Sequence, residues 1–244
     1  MERRDILKSL TLLPFAGSLL PLESILAGPS GPLTAGPDIY QSIGVEPVIN
    51  CVGTYTIIGG SLERPEVVAA MHSASGFFVQ YDELAFGVGQ RLADITGAEW
   101  GMVSAGCAAG IKHVTAACIT GGNPEKLIRI PDLAGFDKTE VVIPRSSRNA
   151  YDHGIRNIGV RIITVETIEE LEKALSPRTA MIYLMASDET EPGQPFSLET
   201  VAAIAGKTNI PVLIDAAAED LTVPNIHLQR GATVVAYSGG KALC

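Results

Sequence analysis

Short apolar runs alternate with helix-like segments along most of the chain after residue 65. The apolar runs are rich in Val, Ile and Leu, which is typical of strands that are buried on both faces of a sheet. The segments between them repeat apolar residues at the three- and four-residue spacing of amphipathic helices. This alternation predicts an α/β fold in which a mainly parallel sheet is flanked by helices.

The pattern also predicts the position of each element. We predict strands at 100–106, 140–144, 160–165, 179–186, 211–218 and 232–239, and helices at 66–79, 83–97, 108–120, 149–159, 167–175 and 197–208. Gly97 is the expected C-cap of the second helix, and Thr167 and Ser197 are expected N-caps. Ligands bind beyond the carboxyl ends of such strands, so the strand ends are the candidate sites of chemistry.

Composition narrows the class of protein. The 244 residues are 46% hydrophobic and 18% charged, which indicates a globular chain long enough for a sizeable core. The net charge of -9 argues against a nucleic-acid partner, because an acidic surface repels phosphates. The four cysteines form no C-x-x-C pair and the four histidines do not cluster, so we expect neither a metal site nor a disulfide framework.

Residues 1–27 have the layout of an export signal: a basic start, an apolar stretch and small residues before position 29. The run RRDILK resembles the twin-arginine pattern, so we expect a periplasmic or extracellular protein; an amphipathic terminal helix is the alternative. Pro14, Pro21 and Glu23 interrupt the apolar stretch, which argues against a permanent membrane span. Residues 28–38 are expected to be a linker, and residues 39–244 the remaining domain.

Two charged residues at strand ends are candidates for chemistry. Asp215 follows the apolar run VLI, where a carboxylate is costly to bury unless a cation or hydrogen-bond donors face it. It is either a helix N-cap or the counter-ion of a buried cation. Lys241 follows Gly239–Gly240, which are expected to let the backbone turn so that the amine points into a site. Partial desolvation there would favour the neutral, nucleophilic amine; a surface lysine is the alternative.

The segment SAGCAAG, residues 104–110, joins a predicted strand to a helix N-terminus. Its small residues would leave backbone N–H groups open to a phosphate, although close packing of the helix on the sheet is an alternative explanation. Pyridoxal 5′-phosphate (PLP) requires an anion site, a carboxylate for its ring nitrogen and a lysine for its aldehyde. The segment, Asp215 and Lys241 together fit this cofactor.

This order of features resembles that of fold-type-I PLP enzymes, the aminotransferase superfamily. The runs LADITGAEWGMVSAGCAAGI, VLIDAAAED and VVAYSGGKAL are similar to those of the bacterial selenocysteine-synthase-like group, which includes selenocysteine synthase and D-glucosaminate-6-phosphate ammonia-lyase. The resemblance covers about residues 40–244.

The resemblance implies a role for each candidate residue. Lys241 would be the catalytic Schiff-base lysine, and Asp215 would be the partner of the pyridine nitrogen. The other implied cofactor-binding residues are Gly106, Cys107 and Ala108 through their backbone N–H groups, Ser238 through its hydroxyl, and Ala217 against the ring. Arg148 and Tyr151 lie near the sequence positions where the family often has a His-Arg pair and a Tyr-Asp. Ser147 stands at the position where His is common. The group that stacks on the outer face of the ring is therefore left open.

The implied activity is that of a PLP-dependent lyase or transferase. It would remove the α-proton of a small amino acid or amino sugar acid and then eliminate or replace a group on the β-carbon. A selenium transferase acting on tRNA is an alternative, but it would require a basic surface and a cytoplasmic location. A thiol hydrolase using Cys107 is another, since a helix N-terminus can activate a thiol.

The resemblance also implies a homodimer or higher homo-oligomer at full length. Family members continue beyond the lysine into a C-terminal domain, so we expect this chain to be a truncated or incomplete form, poorly soluble and at best weakly active. A non-catalytic remnant is therefore a further alternative.

We predict that residues 1–38 direct export. Fusing them to a reporter that works only outside the cytoplasm should give reporter activity, and Arg3→Lys with Arg4→Lys should abolish it. A reporter that stays inside, or export that ignores the double substitution, would count against the twin-arginine route.

Overall fold

The computed structural model of the protein describes residues 39–219 and 225–243. The predicted export signal and linker lie outside the described residues. The chain divides into two units, residues 1–51 and 52–244. The described part of the first unit is a largely exposed segment with a 3-10 turn at Gln41–Ile43, which ends at Gly44 in the left-handed conformation.

A five-stranded parallel sheet forms the centre of the second unit. Its strands are β1 (Glu140–Pro144), β2 (Arg161–Val165), β3 (Thr179–Met185), β4 (Val212–Asp215) and β5 (Val234–Ala236). They lie in the order β2-β1-β3-β4-β5, and every pairing is parallel, which confirms the predicted sheet. The second strand, β2, lies on one side of β1, and the third strand, β3, lies on its other side. The direction in which strands are added therefore reverses between β1 and β3. Such a reversal opens a crevice at the carboxyl ends of the strands.

The described helices are α1 (Pro65–Ala74), α2 (Tyr81–Thr96), α3 (Cys107–Thr120), α4 (Pro124–Leu127), α5 (His153–Arg156), α6 (Ile168–Ala174), α7 (Leu198–Gly206) and α8 (Ile226–Gln229). Of these, α3, α6, α7 and α8 pack against the strands. Gly97 ends α2 in the left-handed conformation, and the side chains of Thr167 and Ser197 accept hydrogen bonds from the first turns of α6 and α7, as predicted. Among the described residues, none of the helices combines the length and apolar character needed to cross a membrane.

Alternate strand residues build two separate cores, because successive side chains of a strand point to opposite faces. On one face Val142 packs in a cluster with Leu171 of α6 and Val201 of α7. On the other face Val141 packs in a cluster with Ile111 of α3. Helix α3 packs on this second face, and its N-terminus lies at the carboxyl edge of the sheet.

The predicted strand at 100–106 is wrong, since this segment is irregular. Its contacts explain the difference. A Cβ on Gly101 would lie 2.3 Å from the Cβ of Leu92, and the ring of Trp100 lies 5.2 Å from that of Phe86. Leu92 and Phe86 belong to α2, so the segment lies against this helix instead of pairing with a strand.

The predicted helix at 149–159 is interrupted. It consists of a 3-10 turn, Ala150–Asp152, followed by the short helix α5. The side chain of Asn149 accepts a hydrogen bond from the backbone N–H of Tyr151 and so starts the 3-10 turn. Asp152, which is buried, forms ion pairs with Arg148 and Arg156 and fixes the transition to α5.

We predict that Leu171→Ala lowers the free energy of unfolding by about 2–5 kcal/mol, because Leu171 is fully buried and its truncation leaves a cavity. Leu84→Ala is the matched control: the same atoms are removed from a helix residue that is 50% exposed, so the change should stay within about 0.5 kcal/mol. Urea unfolding measures both. Equal losses for the two variants would contradict the assigned core.

Candidate active site

A cavity of about 210 Å³ lies at the carboxyl edge of the sheet, beside the N-terminus of α3. All seven residues to which the sequence assigned cofactor contacts line it. The full lining consists of Thr56, Ala105, Gly106, Cys107, Ala108, Ile111, Tyr151, Asp215, Ala217, Ser238 and Lys241. The structure thus brings together residues that are up to 185 positions apart in the chain, from Thr56 to Lys241. Their individual roles stay predictions.

Asp215 ends β4 and is 7% exposed. Its Oδ2 accepts a hydrogen bond from the Tyr183 hydroxyl at 2.8 Å. Its Oδ1 accepts from the Cys107 thiol at 3.3 Å and from the backbone N–H of Ala217 at 3.1 Å. The bond to Ala217 closes a local turn, and no helix follows within residues 216–219, so Asp215 is not a helix N-cap there. Donors therefore surround the carboxylate, as its burial requires.

Tyr183 and Asn149 support Asp215, and sequence reasoning missed both. Tyr183 lies in β3 and is fully buried. Burial, and next the charge of Asp215, raise the pKa of the Tyr183 phenol well above its ordinary value. The hydroxyl therefore stays protonated and can donate a hydrogen bond. Asn149 Nδ2 lies 3.0 Å from the Tyr183 hydroxyl oxygen. The only sequence signal was a tyrosine inside an apolar strand, since a buried phenol usually has a hydrogen-bond partner.

The start of α3 combines an open helix N-terminus with a protonated thiol. Gly106 precedes the helix with φ 87°, a conformation that favours glycine. The first turn leaves backbone N–H groups without intrahelical partners, which suits an anion. Burial, followed by the charge of Asp215, raises the pKa of the Cys107 thiol far above its ordinary value. This disfavours the thiolate that a thiol hydrolase would require.

Lys241 is half-buried and follows a turn in which its backbone N–H donates to the Ser238 carbonyl at 3.3 Å. Its Nζ lies 6.0 Å from the centre of the Tyr151 ring. Neither glycine of the preceding pair has a positive φ, so the left-handed region is not used there. The close approach occurs instead at Gly60, where a Cβ would lie 2.0 Å from the Gly240 carbonyl oxygen. Contact with the segment around Gly60 therefore holds the lysine turn.

The other strand-end candidates differ in position. Ser147 is buried, and its hydroxyl accepts from the Met185 backbone N–H at 3.1 Å, so it supports the sheet edge and does not line the cavity. Arg148 pairs with Asp152 and donates to Thr164 at 2.8 Å. Tyr151 lines the cavity, and its hydroxyl lies 3.4 Å from that of Thr56. Of Ser147, Arg148 and Tyr151, only Tyr151 belongs to the cavity lining.

The polar segment that follows β3, residues 187–189, does not reach the cavity lining. Asp188 and Glu189 are exposed on a 3-10 turn, Asp188–Thr190. Within residues 39–219 and 225–243, no group of three or more His, Cys, Asp or Glu side chains is placed to hold a metal ion.

Two curated proteins are similar to this chain. It is 34% identical over 216 residues to D-glucosaminate-6-phosphate ammonia lyase of Salmonella typhimurium, covering 84% of this chain and 58% of that protein. It is 30% identical over 219 residues to 5′-C-glycyluridine monooxygenase-decarboxylase of a Streptomyces species, covering 84% of this chain and 53% of that protein. The chain thus spans little more than half the length of these relatives. No protein-family model matches it.

Solved structures are also similar. That of D-glucosaminate-6-phosphate ammonia-lyase matches with a TM-score of 0.77 at 33% identity, covering 85% of this chain and 58% of that one. Aspartate aminotransferase from Thermotoga maritima matches with a TM-score of 0.50 at 18% identity, covering 74% and 52%, which is a similarity of fold alone.

We predict that Cys107 is alkylated much more slowly than the exposed Cys51 at pH 8, because a raised pKa leaves less thiolate at any given pH. Its rate should continue to rise above pH 9. Asp215→Asn should increase the Cys107 rate several-fold by removing the nearby negative charge. Mass spectrometry of iodoacetamide-treated protein measures each site.

Cys118 is the internal control, because burial raises its pKa without a contribution from Asp215. Its rate should be the same with and without Asp215→Asn. A Cys107 that reacts as fast as Cys51 would refute the buried, hydrogen-bonded thiol.

Proposed function

This chain is a homologue of D-glucosaminate-6-phosphate ammonia lyase with the large-domain fold of fold-type-I PLP enzymes, and on that premise we propose that it binds PLP as a lyase or transferase. Its substrate would be a small amino acid or amino sugar acid. The observation that carries the proposal is that one cavity contains a buried carboxylate, a lysine and an open helix N-terminus.

The residues around the cavity fit PLP. The first turn of α3 offers backbone N–H groups at Cys107 and Ala108 to a phosphate, and the Ser238 hydroxyl lines the same cavity. The Gly106 N–H, which the sequence also assigned to the phosphate, donates to the Ser104 carbonyl at 2.7 Å. Gly106, with its positive φ, brings the backbone to this point without a side chain. Ala217 is small and leaves room for a flat ring beside Asp215.

Asp215 and Lys241 would carry the chemistry. PLP, when bound, supplies an electron sink that stabilises the negative charge left on a substrate α-carbon after its proton is removed. Asp215, held by its three donors, would keep the proton on the ring nitrogen, on which this electron sink depends. Lys241, once its amine is free, would accept the α-proton of the substrate as a general base.

Loss of a leaving group from the β-carbon would then give a lyase, and its replacement by a nucleophile would give a transferase. The name of the Salmonella relative, which acts on an amino sugar acid phosphate, favours the lyase and an amino sugar acid. The net charge of -9 argues against tRNA as a substrate. Export through residues 1–27 is part of the proposal, and the run RRDILK supports it.

The proposal is tested by adding PLP to the purified chain. We expect a visible absorption band that borohydride abolishes, and a peptide in which the pyridoxyl group is fixed to Lys241 Nζ. Lys241→Ala should remove both signals. Lys207→Ala is the matched control, because this lysine forms an exposed ion pair with Glu172; both signals should persist.

Two results would argue against the proposal. One is labelling spread over several lysines, which would indicate non-specific reaction with the aldehyde. The other is a folded chain, with the circular dichroism of an α/β protein, that gives no visible band at a PLP concentration of about 1 mM, far above ordinary cofactor affinities.

A further inference from the structure

The orientation of the Asn149 side-chain amide is fixed by two contacts. The backbone N–H of Tyr151, which can only donate, lies 2.8 Å from Asn149 Oδ1. The carbonyl oxygen of Ser147, which can only accept, lies 3.1 Å from Asn149 Nδ2. The two contacts agree, so the amide oxygen and nitrogen are assigned without reference to any other group.

This assignment fixes the direction of the next two hydrogen bonds. Asn149 Nδ2 can only donate, and besides the Ser147 carbonyl it lies 3.0 Å from the Tyr183 hydroxyl oxygen and 3.3 Å from the Met185 sulfur. The hydroxyl oxygen is the nearer and the stronger acceptor, so the second N–H is directed to Tyr183, which accepts. The single phenolic proton of Tyr183 is then directed to Asp215 Oδ2, 2.8 Å away. Tyr183 is fully buried, so water does not compete for this proton.

Asp215 lies at the end of the chain of bonds. Each of the three hydrogen bonds that its carboxylate makes with described residues comes from a donor: the hydroxyl of Tyr183, the thiol of Cys107 and the backbone N–H of Ala217. A protonated carboxyl group would need an acceptor for its own proton, and Tyr183 could serve only if its own hydroxyl proton turned away from Asp215. The arrangement therefore selects the ionised carboxylate.

We propose that Asn149 and Tyr183 are positioning residues that order the protons around Asp215, so that a proton shared between Asp215 and the ring nitrogen of PLP stays on the ring. This inference rests on the proposed function for the cofactor, but the ordering itself is a property of the protein alone. Asn149 also holds the backbone of Tyr151, whose side chain lines the cavity, so one amide connects two parts of the wall.

Asn149→Asp is the sharpest test, because it keeps the size of the side chain but replaces the donor Nδ2 with an acceptor. The Tyr183 hydroxyl can then donate to residue 149 instead of Asp215. We expect Asp215, deprived of this donor and facing a new acceptor, to be protonated more readily than in the unsubstituted chain. Tyr183→Phe removes the donor without adding a charge, so it should cause a smaller change in the same direction.

The first measurement uses the protein without PLP. Carbon-13 NMR of chain labelled at the aspartate carboxyl carbon reports the ionisation of Asp215, whose signal is identified by its loss in Asp215→Asn. Tyr237→Phe is the matched control. The Tyr237 hydroxyl is buried and has no hydrogen-bond partner in the described part of the chain, so this variant should leave the Asp215 signal unchanged.

The second measurement uses PLP labelled with nitrogen-15 in the ring. The ring nitrogen should be protonated in the unsubstituted chain and in Tyr237→Phe, and less protonated in Asn149→Asp and Tyr183→Phe. The dissociation constant for PLP should rise about tenfold in Tyr183→Phe, as expected for one lost hydrogen bond to a charged group. Circular dichroism and thermal unfolding confirm that each variant is folded.

The outcomes separate the two proposals. A chain that binds no PLP, but whose Asp215 signal responds to both substitutions, would support the proton ordering and refute the proposed function. A chain that binds PLP, but whose Asp215 and ring-nitrogen signals ignore both substitutions, would refute the proton ordering alone. If Asn149→Asp does not fold, Tyr183→Phe decides by the same two signals.

Discussion

The buried carboxylate of Asp215 is the constraint on which the arrangement of the site depends. A charge with 7% exposure costs several kcal/mol unless hydrogen bonds or an opposite charge replace water, so the surrounding elements must supply donors. They come from β3 through Tyr183, from the start of α3 through Cys107, and from the turn after β4 through Ala217. One carboxylate thereby fixes the relative positions of two strands and a helix at the edge where the cavity lies.

The lysine turn is held in a different way, by the approach of two backbones. A side chain at Gly60 would collide with the Gly240 carbonyl oxygen, and the Ser61 N–H donates to the same carbonyl at 2.9 Å. A contact made by the backbone does not depend on side-chain rotamers. It can therefore place Lys241 beside the cavity although β5 ends at Ala236, five residues earlier.

Much of the fold could be predicted because it follows from local chemistry. The strand at 140–144 and the helix ends at Gly97, Thr167 and Ser197 were predicted correctly, since each depends mainly on residues close to it in the sequence. The segment at 100–106 failed for the opposite reason. Its apolar residues are equally suited to a strand or to contact with α2, and only the distant partner decides between them.

The candidate site also has a part that the sequence predicts and a part that only the structure reveals. The sequence by itself determined the parallel sheet and identified Asp215 and Lys241, because charged residues after apolar strands are costly and therefore conspicuous. Only the tertiary structure decided that Tyr183 hydrogen-bonds to Asp215 and Asn149 to Tyr183, and that Thr56 and Tyr151 line the cavity. Their partners lie 32 to 95 positions away along the chain. The direction of a hydrogen bond is set by which groups meet in space, and the spacing of residues along one chain carries no record of that.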